Sequence, residues 1–278
     1  MHTSNAPVWN ARTLMEALAL RSEHPEATVL AGGTDIMVFV EGGALQLKEV
    51  LNIWPCKELR AIEATDTGLR IGALATWTDV RHHDGVPAAL RECAQTIGAE
   101  QIQNRGTVGG NIVNASPAGD SLPLWLALDA SFEVASVRGK RLIAADDFWT
   151  GYRTTSLAAD ELLIAAHISA SPSMRTCYRK VGTRMAQAIS KVVFGGSLKI
   201  EDGLVKDARL ALGSVAPVPV RLKSVEAALI GHPINASAAD GVQADIAPID
   251  DIRSTAKYRR KVAHRVVRSW LEREAKES

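Results

Sequence analysis

Two glycine-rich segments place the strongest constraint on how this chain can fold. The first is Val29-Leu30-Ala31-Gly32-Gly33-Thr34-Asp35-Ile36, and the second is Thr107-Val108-Gly109-Gly110-Asn111. Each contains or follows apolar residues and leads into a segment that can be helical. Glycines without side chains allow backbone N–H groups to converge on an anion, and the start of a helix adds partial positive charge. Together the two segments predict one long, phosphate-bearing ligand held between two parts of the protein.

Neither segment has the spacing of a common nucleotide-binding motif. No Gly-Lys-Ser/Thr follows either pair of glycines, and the spaced G-x-G-x-x-G is absent. In the first segment we expect the amides of Gly33 and Thr34 and the Thr34 hydroxyl to donate to phosphate. Asp35 would repel a phosphate, so we expect it to cap the following helix. A tight turn capped by Asp35, with no ligand, is the alternative.

The second segment continues with a dense run of amide and hydroxyl side chains. The run is Asn111-Ile112-Val113-Asn114-Ala115-Ser116-Pro117-Ala118-Gly119-Asp120-Ser121. Such side chains beside an apolar helix suit a pocket for ribose and heterocycle edges. Asp120 can accept hydrogen bonds from two ribose hydroxyls, or it can cap a helix over 121–129. The sequence leaves both roles open.

Composition narrows the class of protein. A hydrophobic content of 46% and a charged content of 23% are typical of a soluble globular protein, and the net charge of +1 gives no field that would attract nucleic acid. Cys56, Cys93 and Cys177 are too widely spaced to hold zinc or an iron–sulfur cluster in the usual way, and free thiols fit a reducing compartment. With neither a signal peptide nor a long apolar stretch in view, we expect a cytoplasmic protein without a membrane span.

The chain is predicted to divide into two units, 1–170 and 171–278, at the loop-like Ser169-Ala170-Ser171-Pro172-Ser173. The first unit has subdomains 1–60 and 61–170, of which the first reads as a small βαβ-type unit. In the second unit, Asp202-Gly203 predicts a hairpin, and helices follow the strands. This order predicts an α+β fold.

Capping residues and hydrophobic periodicity predict the individual elements. Helices are predicted after Thr13, after Thr76 or Thr78, after Pro87, over 121–129, and from about Ala256 with Val262, Val266 and Trp270 on one face. Strands are predicted at 27–30, 50–53, 69–72, 132–137, 162–168, 177–181, 189–200 and 205–213.

Three further segments follow the glycine-rich ones. They are Phe148-Trp149-Thr150-Gly151-Tyr152-Arg153, Lys180-Val181-Gly182-Thr183-Arg184-Met185-Ala186-Gln187-Ala188-Ile189-Ser190 and Ile249-Asp250-Asp251-Ile252-Arg253-Ser254-Thr255-Ala256-Lys257-Tyr258-Arg259-Arg260. With A-G-G-T-D and T-V-G-G-N-I-x-N-A-S-P-x-x-D, they resemble, in order, the FAD-binding subunits of the molybdenum hydroxylases, the xanthine dehydrogenase family. The resemblance spans nearly the whole chain.

The resemblance implies both a fold and a cofactor site. The fold would be a two-part FAD-binding region of the vanillyl-alcohol-oxidase type, followed by an α+β domain with an antiparallel sheet, like the carbon monoxide dehydrogenase flavoprotein C-terminal domain. Both glycine-rich segments would hold FAD, and Asp120 would lie near its ribose or pyrophosphate. Ile97 would lie near the flavin, where relatives often carry an aromatic residue. Leu163 would contact the cofactor, and Lys180 would reach the flavin edge, where a cation can stabilise negative charge.

The resemblance also implies a function that depends on partners. FAD would take electrons from 2Fe-2S clusters on a small subunit, after substrate is hydroxylated at a molybdenum cofactor on a large subunit, and would pass them to NAD or another acceptor. A dimer of heterotrimers is expected, and no side chain of this chain needs to act as nucleophile or general base. Relatives that tether the flavin use a histidine where this chain has Thr34, so we predict noncovalent FAD.

Two other functions stay open at the level of sequence. One is a stand-alone NADPH-dependent reductase of the same FAD fold, similar to enolpyruvyl-UDP-N-acetylglucosamine reductase, for which Ser116 or Ser121 could supply a proton. The motifs at 180–190 and 249–260 argue against it. The other is a nucleotide-binding assembly module that has lost flavin.

Overall fold

The computed structural model describes residues 6–169, 174–184 and 187–277. The helices are α1 (Leu14–Glu23), α2 (Ile36–Glu41), α3 (Trp77–His82), α4 (Ala88–Thr96), α5 (Glu100–Gln103), α6 (Val108–Asn114), α7 (Leu122–Ala127), α8 (Ala145–Phe148), α9 (Lys223–Leu229), α10 (Val242–Asp245) and α11 (Ala256–Lys276). The strands are β1 (Val8–Asn10), β2 (Thr28–Leu30), β3 (Val50–Asn52), β4 (Ile62–Thr65), β5 (Gly68–Gly72), β6 (Ser131–Ser136), β7 (Gly139–Ala144), β8 (Trp149–Gly151), β9 (Thr154–Thr155), β10 (Leu162–Ser169), β11 (Met174–Val181), β12 (Val192–Glu201), β13 (Leu204–Gly213) and β14 (Val220–Arg221). Two 3₁₀ turns span Lys57–Leu59 and Ala236–Gly241.

The N-terminal lobe is a parallel three-stranded sheet in the order β1-β3-β2. The Thr13 hydroxyl accepts a hydrogen bond from the Glu16 amide and caps α1, as predicted. The predicted strands at 27–30 and 50–53 are confirmed as β2 and β3. The sequence did not predict β1, because three residues are too few to show an alternating pattern.

The second lobe is built on a five-stranded sheet in the order β4-β5-β10-β6-β7. Thr76 caps α3 in a reciprocal arrangement with Asp79, which decides the choice between Thr76 and Thr78. The predicted helix over 121–129 is shorter, because α7 ends at Ala127 and Asp129 has a φ of 52°. Ser121, and not Asp120, stands at the start of α7.

The two lobes share a hydrophobic core. Ala17 of α1 and Leu51 of β3 belong to the same buried cluster as Ala135 of β6 and both Leu162 and Ile164 of β10. The N-terminal lobe therefore packs against the interior strands β6 and β10 of the larger sheet, and a cleft opens where β2 ends.

The C-terminal part is an antiparallel sheet in the order β11-β12-β13-β14, covered by α9 and α11. Asp202 and Gly203, with φ values of 53° and 73°, form the predicted hairpin. The buried face of α11 is slightly rotated from the predicted one, because Ala263, Val267 and Trp270 are buried whereas Val262 and Val266 are only half-buried.

The predicted α+β fold is confirmed, with an antiparallel C-terminal sheet and helices packed on it. Residues 170–173 of the expected boundary segment, together with Met1–Asn5, Met185, Ala186 and Ser278, lie outside the described residues. The division at residue 170 therefore stays a prediction. Within the described residues, no helix is long and apolar enough to cross a membrane.

Candidate functional site

The cleft between the lobes has a volume of about 700 Å³ and is lined by both glycine-rich segments. The predicted site residues that line it are Val29, Ala31–Ile36, Ile97, Thr107, Gly109–Asn111 and Leu163. Leu30, Val108, Asp120 and Lys180 were also predicted but are not part of the lining. Val108 is fully buried and faces the core.

The first glycine-rich segment forms a turn with uncommitted backbone donors. Gly33 has a φ of 76°, which favours glycine, and its carbonyl oxygen accepts a hydrogen bond from the Met37 amide. Among the described residues, the amides of Gly33, Thr34 and Asp35 have no acceptor. This turn thus leaves several N–H groups available to an anion in the cleft.

The expected capping role of Asp35 is wrong. Asp35 stands before α2, but its side chain makes no capping hydrogen bond. Its backbone has φ −102° and ψ −47°, whereas a capping side chain needs an extended backbone at that position. The Asp35 carboxylate is instead exposed in the lining of the cleft.

Gly32 sets the distance between the lobes at this end of the cleft. A Cβ at this position would overlap the Arg105 carbonyl oxygen and would lie 3.3 Å from the Gly106 Cα. Nearby, the guanidinium groups of Arg60 and Arg105 both lie over the Trp54 ring, at 4.1 and 3.8 Å from its centroid. The two lobes therefore meet main chain against main chain, beside a stacked cation–π contact.

The second glycine-rich segment is not a turn but the beginning of α6, and its amides are committed. The Val108 amide donates to the Ala75 carbonyl oxygen at 2.9 Å and the Gly109 amide to that of Ala73 at 2.8 Å. The Gly110 amide donates to the Thr107 hydroxyl, which caps the helix. The expectation that these amides converge on an anion is therefore wrong, because the neighbouring loop and the cap already satisfy them.

The two glycines of α6 differ in their surroundings. A Cβ on Gly109 would lie 2.7 Å from the Ala73 Cβ, so this glycine is needed for packing. A Cβ on Gly110 would meet only the Thr107 hydroxyl, at 2.8 Å, and Gly110 is exposed in the cleft. The missing side chain at Gly110 thus leaves room for a ligand to approach the backbone.

Asn111 and Ser121 belong to a hydrogen-bonded network behind the cleft wall. The Ser121 hydroxyl donates to Asn111 Oδ1 at 2.6 Å and accepts from the Trp125 indole nitrogen at 3.0 Å. This network fixes the Asn111 side chain and leaves its amide nitrogen without a partner among the described residues. Ser121 is fully buried, and neither Ser116 nor Ser121 lines the cleft.

Asp120 and Lys180 form a buried ion pair next to the cleft. Lys180 Nζ lies 2.6 Å from Asp120 Oδ2 and donates to the Thr96 carbonyl oxygen at 2.9 Å. Burial raises the pKa of Asp120, and the Lys180 ammonium opposes that shift. Because Thr96 precedes Ile97, the pair supports the wall that Ile97 contributes. The alternative role of Asp120 as a helix cap is wrong, because Asp120 caps no helix and pairs with Lys180 instead.

Several lining residues were not assigned from sequence. They are Arg21, Phe39, Leu45, Ile53, Ala73, Leu74, Trp77, Ile102, Gly106, Arg153, Thr155, Leu157–Ala159, Glu161 and Leu162. Val113 and Asn114 also line the cleft and belong to the polar run that the sequence assigned to a pocket. Arg141 pairs with Glu161, and this pairing lowers the pKa of the Glu161 carboxyl. Arg153 belongs to the 148–153 motif of the sequence, but that motif predicted no specific role for its side chain.

The sequence matches two known families over most of its length. Residues 3–170 match the family described as the FAD binding domain in molybdopterin dehydrogenase, and residues 176–273 match the CO dehydrogenase flavoprotein C-terminal domain. This chain belongs to the FAD-binding subunits of the molybdenum hydroxylase family. The FAD-binding subunit is thus a component of an oxidoreductase, as predicted.

Individual relatives agree with this membership. The chain is 32% identical to the xanthine dehydrogenase FAD-binding subunit of Escherichia coli O157:H7, over 90% of this chain and 89% of that one. It is 31% identical to the glyceraldehyde dehydrogenase medium chain of Sulfolobus acidocaldarius, over 91% and 92%. Its structure matches reconstituted CO dehydrogenase from Oligotropha carboxidovorans with a TM-score of 0.94 and 26% identity, covering 100% of both chains.

Proposed function

We propose that the cleft holds FAD noncovalently and that this subunit relays electrons within a molybdenum hydroxylase complex. The observation that carries the proposal is the turn at Gly33 and Thr34, whose amides have no acceptor within the described chain. A volume of about 700 Å³ lies in the range of about 300–1,000 Å³ typical of ligand pockets. Residues 3–170, which include the lining of the cleft, match a family described as an FAD binding domain, and this match supports FAD as the ligand.

The residues divide the work of binding in this proposal. The amides of Gly33 and Thr34, with the Thr34 hydroxyl, donate to the diphosphate. Exposed Gly110 lets the ligand approach the start of α6, and the free Asn111 amide nitrogen donates to a ribityl or ring oxygen. The proposed residues that face the ligand are Val29, Ala31, Gly32, Gly33, Thr34, Asp35, Ile36, Ile97, Thr107, Gly109, Gly110, Asn111 and Leu163, and those that support the site from behind the lining are Leu30, Val108, Asp120 and Lys180.

Asp120 and Lys180 contribute to this site from behind Ile97. Lys180 is held by both Asp120 and the Thr96 carbonyl oxygen. In the proposal the pair orients the Ile97 wall and supplies a fixed dipole beside the flavin. The Lys180 ammonium has three N–H donors, so one stays available for the flavin edge beside the two that Asp120 and the Thr96 carbonyl oxygen accept.

Bound FAD would supply the redox centre, passing electrons from a 2Fe-2S small subunit to NAD or another acceptor. This chain orients the cofactor and shields it from water through the apolar part of the lining. A molybdenum-cofactor large subunit completes the proposed complex, as a dimer of heterotrimers. The FAD-binding-subunit and medium-chain names of the relatives support a multi-subunit assembly, and the free cysteines support a cytoplasmic location.

The first experiment tests the cofactor. The purified chain is titrated with FAD, and bound chromophore is then released by denaturation and identified. We expect a flavin spectrum and complete release, because Thr34 offers no group for a covalent link. A folded chain that stays colourless after added FAD would support the flavin-free assembly module instead, and chromophore that stays attached would contradict noncovalent binding.

The second experiment tests the partners. The native complex is purified through a tag on this chain and analysed for iron, molybdenum and the co-purifying polypeptides. We expect an iron–sulfur subunit and a molybdenum subunit in equal amounts with this chain. Sustained NADPH-dependent turnover of an enolpyruvyl sugar nucleotide by the chain alone would favour the reductase, although buried Ser121 and the absence of Ser116 from the cleft wall argue against it.

A further inference from the structure

The hairpin of β8 and β9 carries Arg153 to the opening of the cleft, and no role has yet been given to it. Its base is fixed, because the Trp149 indole nitrogen donates to the Ile112 carbonyl oxygen at 3.0 Å and the ring packs against Phe132 and Phe148. The tip residue, Tyr152, is 67% exposed. A rigid base thus presents the tip at a defined place beside α6.

Arg153 has an unusual backbone conformation. Its φ is 52°, in the left-handed region that is costly for a residue with a long side chain. Local strain of this kind persists where the surrounding structure enforces it, and it often serves function. The conformation directs this particular side chain into the lining of the cleft.

The Arg153 guanidinium contacts both sides of the cleft. Its Nη1 donates to Asn114 Oδ1 at 2.8 Å, at the end of the helix that begins with the second glycine-rich segment. The group also lies 5.2 Å from the centroid of the Phe39 ring, on the helix that follows the first glycine-rich segment. Arg153 therefore lies between the two elements that the ligand must touch.

The charge of Arg153 is not neutralised within the described chain. No carboxylate lies within ion-pair distance, and only one of its N–H groups has an acceptor. The neighbouring arginines of the same lobe differ, because Arg138 pairs with Asp160 and Arg141 pairs with Glu161. An unpaired guanidinium with free donors in a cleft fits an anionic group of the ligand.

We propose that Arg153 is a phosphate-binding residue of the cleft, which completes the site for the cofactor diphosphate formed by the Gly33 and Thr34 amides. The inference rests on the proposed FAD function and deepens it. The guanidinium supplies the positive charge that the turn lacks and offsets the exposed Asp35 carboxylate in the same lining. Arg153 therefore selects ligands that carry phosphate over the uncharged flavin ring system.

The test replaces Arg153 with glycine, which removes the charge and also relieves the left-handed backbone. Asp202→Gly is the matched control, since Asp202 has a φ of 53° at the tip of another hairpin, in the C-terminal sheet. Dissociation constants for FAD, ADP and riboflavin are measured on the full chain, each at low and at high ionic strength. Circular dichroism checks that all variants are folded.

We expect Arg153→Gly to weaken FAD and ADP about tenfold, as loss of one charge-assisted hydrogen bond implies, while riboflavin affinity changes less than about twofold. The salt dependence of FAD binding should decrease, Arg153→Lys should recover part of the affinity, and Asp202→Gly should match the wild type. Equal weakening of riboflavin and FAD would show that Arg153 only holds the hairpin, and unchanged FAD affinity would also overturn the inference. A wild-type chain that binds neither FAD nor ADP would overturn the proposed function along with it.

Discussion

Replacing Gly110 with valine separates the ligand-binding role of α6 from its role in folding. A Cβ at Gly110 would lie 2.8 Å from the Thr107 hydroxyl and would contact no other group within 4 Å. Relief of a helical glycine gains a few tenths of a kcal/mol, and disturbance of the Thr107 cap costs about 1 kcal/mol. We therefore expect the free energy of unfolding to change by less than about 1 kcal/mol.

The effect on the ligand should be larger. The two γ-methyl groups of valine would occupy space in the cleft where the backbone of α6 is exposed. Overpacking of a fitted contact costs about 1–3 kcal/mol, which corresponds to a dissociation constant for FAD raised by about tenfold to about hundredfold. Flavin fluorescence titration measures the dissociation constant, and urea unfolding followed by circular dichroism measures stability.

Gly109→Ala is the matched comparison. Its Cβ would lie 2.7 Å from the Ala73 Cβ and 2.8 Å from the Ala73 carbonyl oxygen, so this variant should lose about 1–3 kcal/mol of stability. Gly110→Val should thus weaken FAD binding with little effect on stability, whereas Gly109→Ala should mainly lower the free energy of unfolding. A folded Gly110→Val protein with wild-type affinity for FAD would refute the placement of the ligand against α6.

Two other buried contacts give further predictions. Lys180→Met should cost about 3 kcal/mol because it leaves Asp120 buried without its cation. Without the cation, the pKa of Asp120 rises further above its unfolded value. The loss of stability should therefore be largest at alkaline pH and shrink as the pH is lowered and the carboxylate takes up a proton. Urea unfolding across this pH range measures the loss, and a pH-independent loss would contradict the assignment. Arg259→Met should also lower the free energy of unfolding by about 3 kcal/mol, because the buried guanidinium joins Asp251 to the carbonyl oxygens of two other segments. The control is Arg260→Met at the half-buried neighbouring position, which should cost less than about 1 kcal/mol in the same urea unfolding assay.

The sequence predicted the elements whose signals are local. Thr13 and Thr76 were recognisable as capping residues, and Asp202-Gly203 as a hairpin, because each signal lies within a few residues of its effect. The missed strand β1 and the exact buried face of α11 depend on partners that are distant along the chain. Pairing of β1 with β3, for example, joins Val8 to Val50.

The same distinction explains the outcome at the cleft. The lining role of both glycine-rich segments was predictable from residue type, but the state of their amides was not. Whether an amide is free depends on acceptors in distant segments. The Gly109 and Val108 amides, for example, donate to the carbonyl oxygens of Ala73 and Ala75. The position of Arg153 in the cleft could not be predicted for a similar reason, because its neighbours Phe39 and Asn114 come from separate segments of the chain.

The approach of Gly32 to the Arg105 carbonyl oxygen has a consequence for redesign of this cleft. The contact is made by two main chains, so an exchange of side chains elsewhere in the cleft cannot bring the lobes closer together at this point. Any side chain at Gly32 would instead force the lobes apart. Variation in what the cleft accepts must therefore arise from side chains at its other walls, such as Phe39 and Arg153 on the β8–β9 hairpin. A library confined to those positions would change ligand preference while the lobe junction keeps its geometry.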